Sequence, residues 1–174
     1  MKPSHDTSPN SHGPFLDPSA PSPMERSMRP RWISGSNASW IVITIDTSGM
    51  LALLDRDERH HEAAKAGLLA DAGPYIVPAG TLCELGLFVR KRGGGAALDA
   101  VIADLEAGSY TLDCGDEDLP RIRELLRRYA DLNLGFTDAA VIACAERNGG
   151  KVLTFDRRDF DVVAREGRIS VVPA

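Results

Sequence analysis

The run Ile41-Val42-Ile43-Thr44-Ile45-Asp46 constrains the fold of this chain more than any other stretch. β-Branched side chains suit an extended backbone, and a strand that is apolar on both faces has to be covered on both faces. Such a strand belongs inside a mostly parallel sheet. It ends on an aspartate, and in open parallel sheets ligands collect beyond the carboxyl ends of the strands.

Strand-like and helix-like segments alternate from there on. Thr47 or Ser48 is placed to cap a short helix through Leu54, residues 55–59 form a charged turn, and residues 60–70 read as a second helix. Tyr75-Ile76-Val77 is a short strand. Residues 81–91 and 96–106 have helical composition, and Gly93-Gly94-Gly95 between them predicts a helical hairpin. Residues 109–113 read as a strand. Residues 116–129 form an amphipathic helix with Leu119, Ile122, Leu125 and Leu126 on its apolar side. Thr137 is placed to cap a helix over 138–147 that Asn148-Gly149-Gly150 stops. Residues 151–155, 158–166 and 169–172 then read as strand, short helix and last strand. The pattern predicts an α/β fold, a three-layer α/β/α sandwich around a mostly parallel central sheet.

Composition sets the boundaries. Of 174 residues 43% are hydrophobic, enough for one domain with a substantial core. Residues 1–39 hold seven of the eleven prolines and nine serines without apolar periodicity, and are expected to be a disordered extension ahead of a domain at 40–174. That segment has four basic and three acidic residues, which leaves 16 basic against 22 acidic residues in the remainder. Such a balance argues against a nucleic-acid coat or a membrane-surface binder held by its overall field. No apolar run reaches the roughly 20 residues that span a bilayer, so a soluble cytoplasmic protein is expected. Cys83, Cys114 and Cys144 lie about thirty residues apart with no C-x-x-C pair, and read as reduced core thiols. The adjacent His60 and His61 point about 100° apart on a helix, one exposed and one half-buried, rather than forming a metal site.

Four carboxylates resist a bland reading. Asp46 and Asp156 end the buried-looking segments Ile-Val-Ile-Thr-Ile-Asp and Lys-Val-Leu-Thr-Phe-Asp, where turn or helix-cap roles compete with function. Glu84 lies in Leu82-Cys83-Glu84-Leu85-Gly86-Leu87-Phe88-Val89, apolar on nearly every side, so that helix is expected to be enclosed and its carboxylate paired or coordinated. Asp138 opens the most apolar helix of the chain, where it also complements the dipole. Converging on one sheet edge about 5 Å apart, such groups would repel by about 3 kcal/mol per pair at an effective dielectric near 20. One or two hard divalent cations resolve the conflict, and oxygen-only ligand sets favour Mg²⁺ or Mn²⁺ over zinc.

These blocks carry a resemblance. Ile43-Thr44-Ile45-Asp46-Thr47-Ser48, the helical Glu84, Leu134-Gly135-Phe136-Thr137-Asp138-Ala139-Ala140 and Val152-Leu153-Thr154-Phe155-Asp156-Arg157-Arg158-Asp159-Phe160 resemble the four acidic blocks of PIN-domain nucleases, in order, across about residues 41–174. Among these the chain is most similar to toxin ribonucleases of the VapC type. The resemblance implies a PIN domain at 40–174, a Mg²⁺- or Mn²⁺-dependent endoribonuclease of a toxin–antitoxin module, RNA as substrate, a homodimer, and a cognate VapB-type antitoxin. It implies catalytic and metal-binding roles for Asp46, Glu84, Asp138 and Asp156. Thr137 would orient Asp138, and Thr47 or Ser48 would do the same for Asp46, although helix capping explains all three equally well. Asp159 is read as a cap for the following helix, with a fifth ligand as the alternative. Proteins of this type normally begin almost at the first strand, which makes Met24, Met28 or a start nearer Val42 candidate origins of translation.

Arg90-Lys91-Arg92, the Arg121 to Arg128 series and Arg157-Arg158 are candidate phosphate contacts, with solvated helix faces as the competing reading. Aromatics make up 6% of the chain, too few for a broad base-stacking platform. A phosphatase motif of the form D-x-D-x-T fails because position 48 is Ser, and no Gly-rich phosphate loop occurs. The rival from another class is a PIN-like RNA- or protein-binding module with little or no nuclease activity.

Overall fold

A computed structural model describes residues 42–173 apart from Ala72, Cys114 and Asn133. The expectations for residues 1–39, for Trp40 and Ile41, and for the Cys114 thiol lie outside the described residues.

Five strands form one sheet in the order β3-β2-β1-β4-β5, and every neighbouring pair is parallel. They are β1 (Ile43–Ile45), β2 (Tyr75–Pro78), β3 (Thr111–Asp113), β4 (Lys151–Leu153) and β5 (Ser170–Val172). The β-branched run sits at the centre, where all three β1 residues are buried. Helices α1 (Thr47–Leu54), α2 (His61–Leu69) and α3 (Ala79–Glu106) pack on one face, sharing a core with Ile43, Ile45 and Leu153. Helices α4 (Leu119–Arg128), α5 (Phe136–Arg147) and α6 (Arg157–Ala164) pack on the other, around Val152 and Phe160. This is the expected three-layer α/β/α sandwich, with a sheet that is parallel throughout.

The order of the strands carries the functional consequence. From β1 the chain steps outward through β2 to β3, then returns to the other side of β1 for β4 and β5. Neighbouring β1 and β4 therefore send their following helices to opposite faces, which opens a crevice at their carboxyl ends. Asp46 and Asp156 follow those two strands.

Several local expectations change. The two helical segments of α3 are joined at Gly94, whose φ of 73° breaks the helix. A Cβ at Gly86 would lie 3.9 Å from Leu98, whereas on a straight helix those positions are about 18 Å apart. The hairpin is thus formed. Its first arm is not enclosed: Thr81, Leu85 and Val89 are buried at four-residue spacing, while Cys83, Leu87 and Phe88 face outward. The apolar composition of 82–89 exceeds what one covered face requires. Cys83 is accordingly no core thiol, whereas Cys144 is buried, and burial pushes its thiol up to about 11.

Capping also differs. Asp46 itself caps α1, its side chain accepting from the Ser48 N–H, in place of Thr47 or Ser48. Helix α5 starts two residues earlier than expected, with Gly135 rather than Thr137 at its cap. The predicted helix 116–129 opens as a 3₁₀ turn at Asp116–Asp118, and Leu119 is 54% exposed instead of joining the apolar side. His61 is buried and its Nδ1 pairs with the Ala52 carbonyl at 2.8 Å, leaving His60 as the half-buried member of the pair.

Candidate active site

Asp46 is 4% exposed, at the mouth of the crevice. Its Oδ2 accepts from Ser48 Oγ at 2.7 Å, Thr154 Oγ1 at 2.8 Å and the Ser48 N–H at 3.3 Å. None of these bonds goes to Oδ1. A carboxylate fixed by one oxygen presents the other, which is how outer hydrogen bonds orient a metal ligand. Thr154, which the sequence reading passed over, also accepts from the Asp156 N–H at 3.1 Å and so ties the two aspartates together. The Phe155 N–H donates to Ser48 Oγ at 2.9 Å and closes the network.

The other two acids come from the helices. The N-terminal ends of α3 and α5 approach closely, since a Cβ on Gly80 would lie 3.3 Å from the Ala140 Cβ. This contact brings Glu84 to Thr137. Thr137 Oγ1 donates to Glu84 Oε1 at 3.2 Å, and Thr47 Oγ1 donates to Glu84 Oε2 at 3.1 Å. Both threonines thus serve Glu84, not the aspartates beside them in sequence. Glu84 is exposed rather than enclosed. Ser48 alone of the three expected supporting residues holds Asp46.

Asp138 Oδ2 accepts from the Gly135 N–H at 3.1 Å, yet its carboxyl is pushed up to about 6. Burial is the main cause, and the negative fields of Asp46, Asp156 and Asp159 add to it. Asp46, Asp156 and Asp159 thus lie near enough to Asp138 for their charges to be felt there. Asp159 does not cap α6 by a side-chain bond; it is 2% exposed and held bidentately by Arg158 at 2.8 Å, which keeps its carboxyl below the usual range.

A divalent cation fits this centre. The donor set is all oxygen, Asp46 Oδ1 accepts none of the bonds above, and at Asp138 the negative fields of Asp46, Asp156 and Asp159 add to the effect of burial. A second acidic group does not compete. Asp113, Asp118 and Cys144 bring ligand atoms within 4.8 Å of one another, but the Arg147 guanidinium bonds both carboxylates at 2.8–2.9 Å. That group is an ion-pair hub.

Comparison with known proteins decides the family. The PIN domain model matches residues 43–166, the span that carries all four acids. The chain belongs to the PIN-domain family. This PIN domain is 32% identical to Ribonuclease VapC26 of Mycobacterium tuberculosis over 133 residues, covering 74% of the chain and 98% of the relative. The crystal structure of VapC20 from the same organism, a toxin that cleaves the sarcin–ricin loop, superposes with a TM-score of 0.60 at 25% identity, covering 70% of this chain and 94% of the other. FitAcB of Neisseria gonorrhoeae shares the fold, with a TM-score of 0.52 at 22% identity over 75% of this chain and 96% of the other.

Several of the predicted basic contacts have other partners in this PIN domain. Arg121 is engaged by Glu146 and Glu124, Arg128 by Glu166, and Arg157 by Asp161 and the Pro173 carbonyl. Arg90 and Lys91 are exposed, and Arg92 reaches the edge of a cavity beside Asp156. Among the described residues, no helix is long and apolar enough to cross a membrane.

Proposed function

We propose that this chain is a Mg²⁺- or Mn²⁺-dependent endoribonuclease, the toxin of a type II toxin–antitoxin module, acting from the cytoplasm on RNA phosphodiester bonds. The observation that supports the reading is the network in which Ser48 and Thr154 hold Asp46 and tie it to Asp156, with Glu84 held by Thr47 and Thr137 and the fields of Asp46 and Asp156 felt at Asp138. Similarity over 98% of the length of a VapC ribonuclease supports the RNA substrate. A homodimer and a VapB-type antitoxin follow from the same family resemblance.

Asp46 and Asp138 would hold the cation directly, and Glu84 and Asp156 would complete the site directly or through water. The bound ion supplies activation of water and stabilisation of charge on the phosphate. The chain's own residues do the rest. Ser48 and Thr154 fix the Asp46 carboxylate before substrate arrives, so that no reorganisation accompanies the reaction. Thr47 and Thr137 fix Glu84 by both oxygens. Arg158, beside Asp159, offsets part of the negative field that the RNA backbone meets.

Sequencing the 5′ ends of cellular RNA after brief expression tests this reading. The parent is expected to create new ends that Asp46→Asn does not, with growth arrest in the parent alone. Identical ends from both chains would exclude catalysis at this centre and favour an RNA- or protein-binding module.

A further inference from the structure

A cavity of about 350 Å³ opens against the acidic centre on the side of α1. It borders Ser48 and Asp156, and its other walls include His60, Phe155, Arg59 and Arg92. The His60 and Phe155 rings lie stacked, with centroids 4.3 Å apart and planes 13° from parallel. Both rings are half-buried, in contrast to Phe160 and Tyr75, which fill the two cores. Phe155 joins the α1–α3 core at its edge.

The stack is oriented from two directions. Arg59 Nε–H donates to His60 Nε2 at 2.9 Å, which makes that nitrogen an acceptor and fixes the ring. The Phe155 N–H donates to the same Ser48 hydroxyl that holds Asp46. The plate is therefore anchored to the catalytic network itself. Arg92 is held loosely, 3.6 Å from Asp55 and 4.0 Å from Glu58, and its side chain is 43% exposed. A guanidinium in such weak pairs is free to re-pair with a phosphate in bidentate geometry.

A flat stacked pair, a weakly paired guanidinium and a volume in the range of small-ligand sites match one nucleotide of a single strand. We propose that this cavity is a nucleotide subsite of the RNA substrate, in which the base adjoining the cleaved phosphodiester stacks on His60 and Arg92 takes a flanking phosphate. The proposal rests on the nuclease reading above and adds a location and a chemistry for substrate recognition. His60 is a binding residue; Phe155 and Arg59 position it.

The test uses the full chain carrying Asp46→Asn, with Mg²⁺ present, and single-stranded oligoadenylate with 2-aminopurine at successive positions. Binding is expected to quench the fluorescence at one position. His60→Ala in that background abolishes the quench and weakens binding about tenfold, the value of one stacked base. His60→Phe restores both. Arg92→Gln weakens binding and lowers the slope of log affinity against log salt by about one. In the otherwise unaltered chain, His60→Ala raises KM for RNA cleavage more than it lowers kcat, with an unchanged melting midpoint. Absence of quenching by the folded Asp46→Asn chain, or a folded His60→Ala chain with parental affinity and quench, overturns the subsite. Cleavage by Asp46→Asn at the parental rate would instead overturn the nuclease reading, which separates the two failures.

Discussion

Asp138 is where the electrostatic tension of the site is most easily measured. Its carboxyl sits at about 6, against 3.8 for the free group. Between those values the folded chain binds a proton that the unfolded chain does not, so stability falls as pH rises through this window. Above about pH 6 the charged Asp138 is a net cost in the metal-free protein. Asp138→Asn keeps an oxygen for the Gly135 N–H and is expected to raise the metal-free stability at pH 7.5 by about 1–2 kcal/mol, with the gain vanishing near pH 4. Urea titrations at the two pH values check this. Because proton and cation compete for one carboxylate, Mg²⁺ affinity measured by calorimetry rises as pH passes about 6. Thr154 offers the complementary case. Thr154→Val keeps the shape but removes the donor to Asp46 and the acceptor for the Asp156 N–H. Cleavage is expected to drop about 10–100-fold, with a stability loss of about 1–2 kcal/mol. Asp46 and its Ser48 partner were legible in the sequence as a strand-end acid followed by a hydroxyl. Thr154 was not, because its role comes from the pairing of β4 with β1, more than a hundred residues apart.

Helices α1, α3 and α5 each deliver one piece of the centre, and close backbone approach sets their positions. Gly49, in the first turn of α1, is the tightest contact: a Cβ there would lie 2.4 Å from the Leu153 carbonyl oxygen of β4. Backbone in a central strand cannot give way, so Gly49→Ala is expected to cost about 2–4 kcal/mol by urea denaturation. The α3 hairpin was legible because three consecutive glycines stop a helix whatever surrounds them. The enclosure of Glu84 was misjudged because composition reports how apolar a segment is and not how many of its faces find partners. Leu87 stays 73% exposed on the same arm whose Leu85 and Val89 are buried. Helix starts shifted for a related reason. Gly135 has no side chain to advertise a cap, and the Asp138 carboxylate that satisfies its N–H lies three residues inside the helix.

Across the whole molecule, alternating strands and helices made the three-layer sandwich readable, but the strand order that creates the crevice was not. That order depends on which face each crossover covers, a property of the assembled sheet. Charge is distributed with the same logic. On the β3 side, Arg147 neutralises the buried Asp118 together with Asp113, so Arg147→Ala is expected to destabilise the chain by about 2 kcal/mol and Asp118→Asn to relieve part of that loss, read by thermal melting. At the β1/β4 crevice, Asp46, Asp138 and Asp156 keep their charge concentrated, which suits a cation. The modest negative total of the chain is thus compatible with RNA as substrate. We propose that these carboxylates make a cation-dependent RNA-cleaving centre. The most direct test is the rate at which the purified chain cleaves RNA with saturating Mn²⁺ or Mg²⁺, after chelation, and in Asp46→Asn and Asp138→Asn. Chelation is expected to stop cleavage and added cation to restore it, and either folded variant is expected to lose about a hundredfold or more in rate. Cleavage that survives chelation, or a folded variant as fast as the parent, would contradict this proposal.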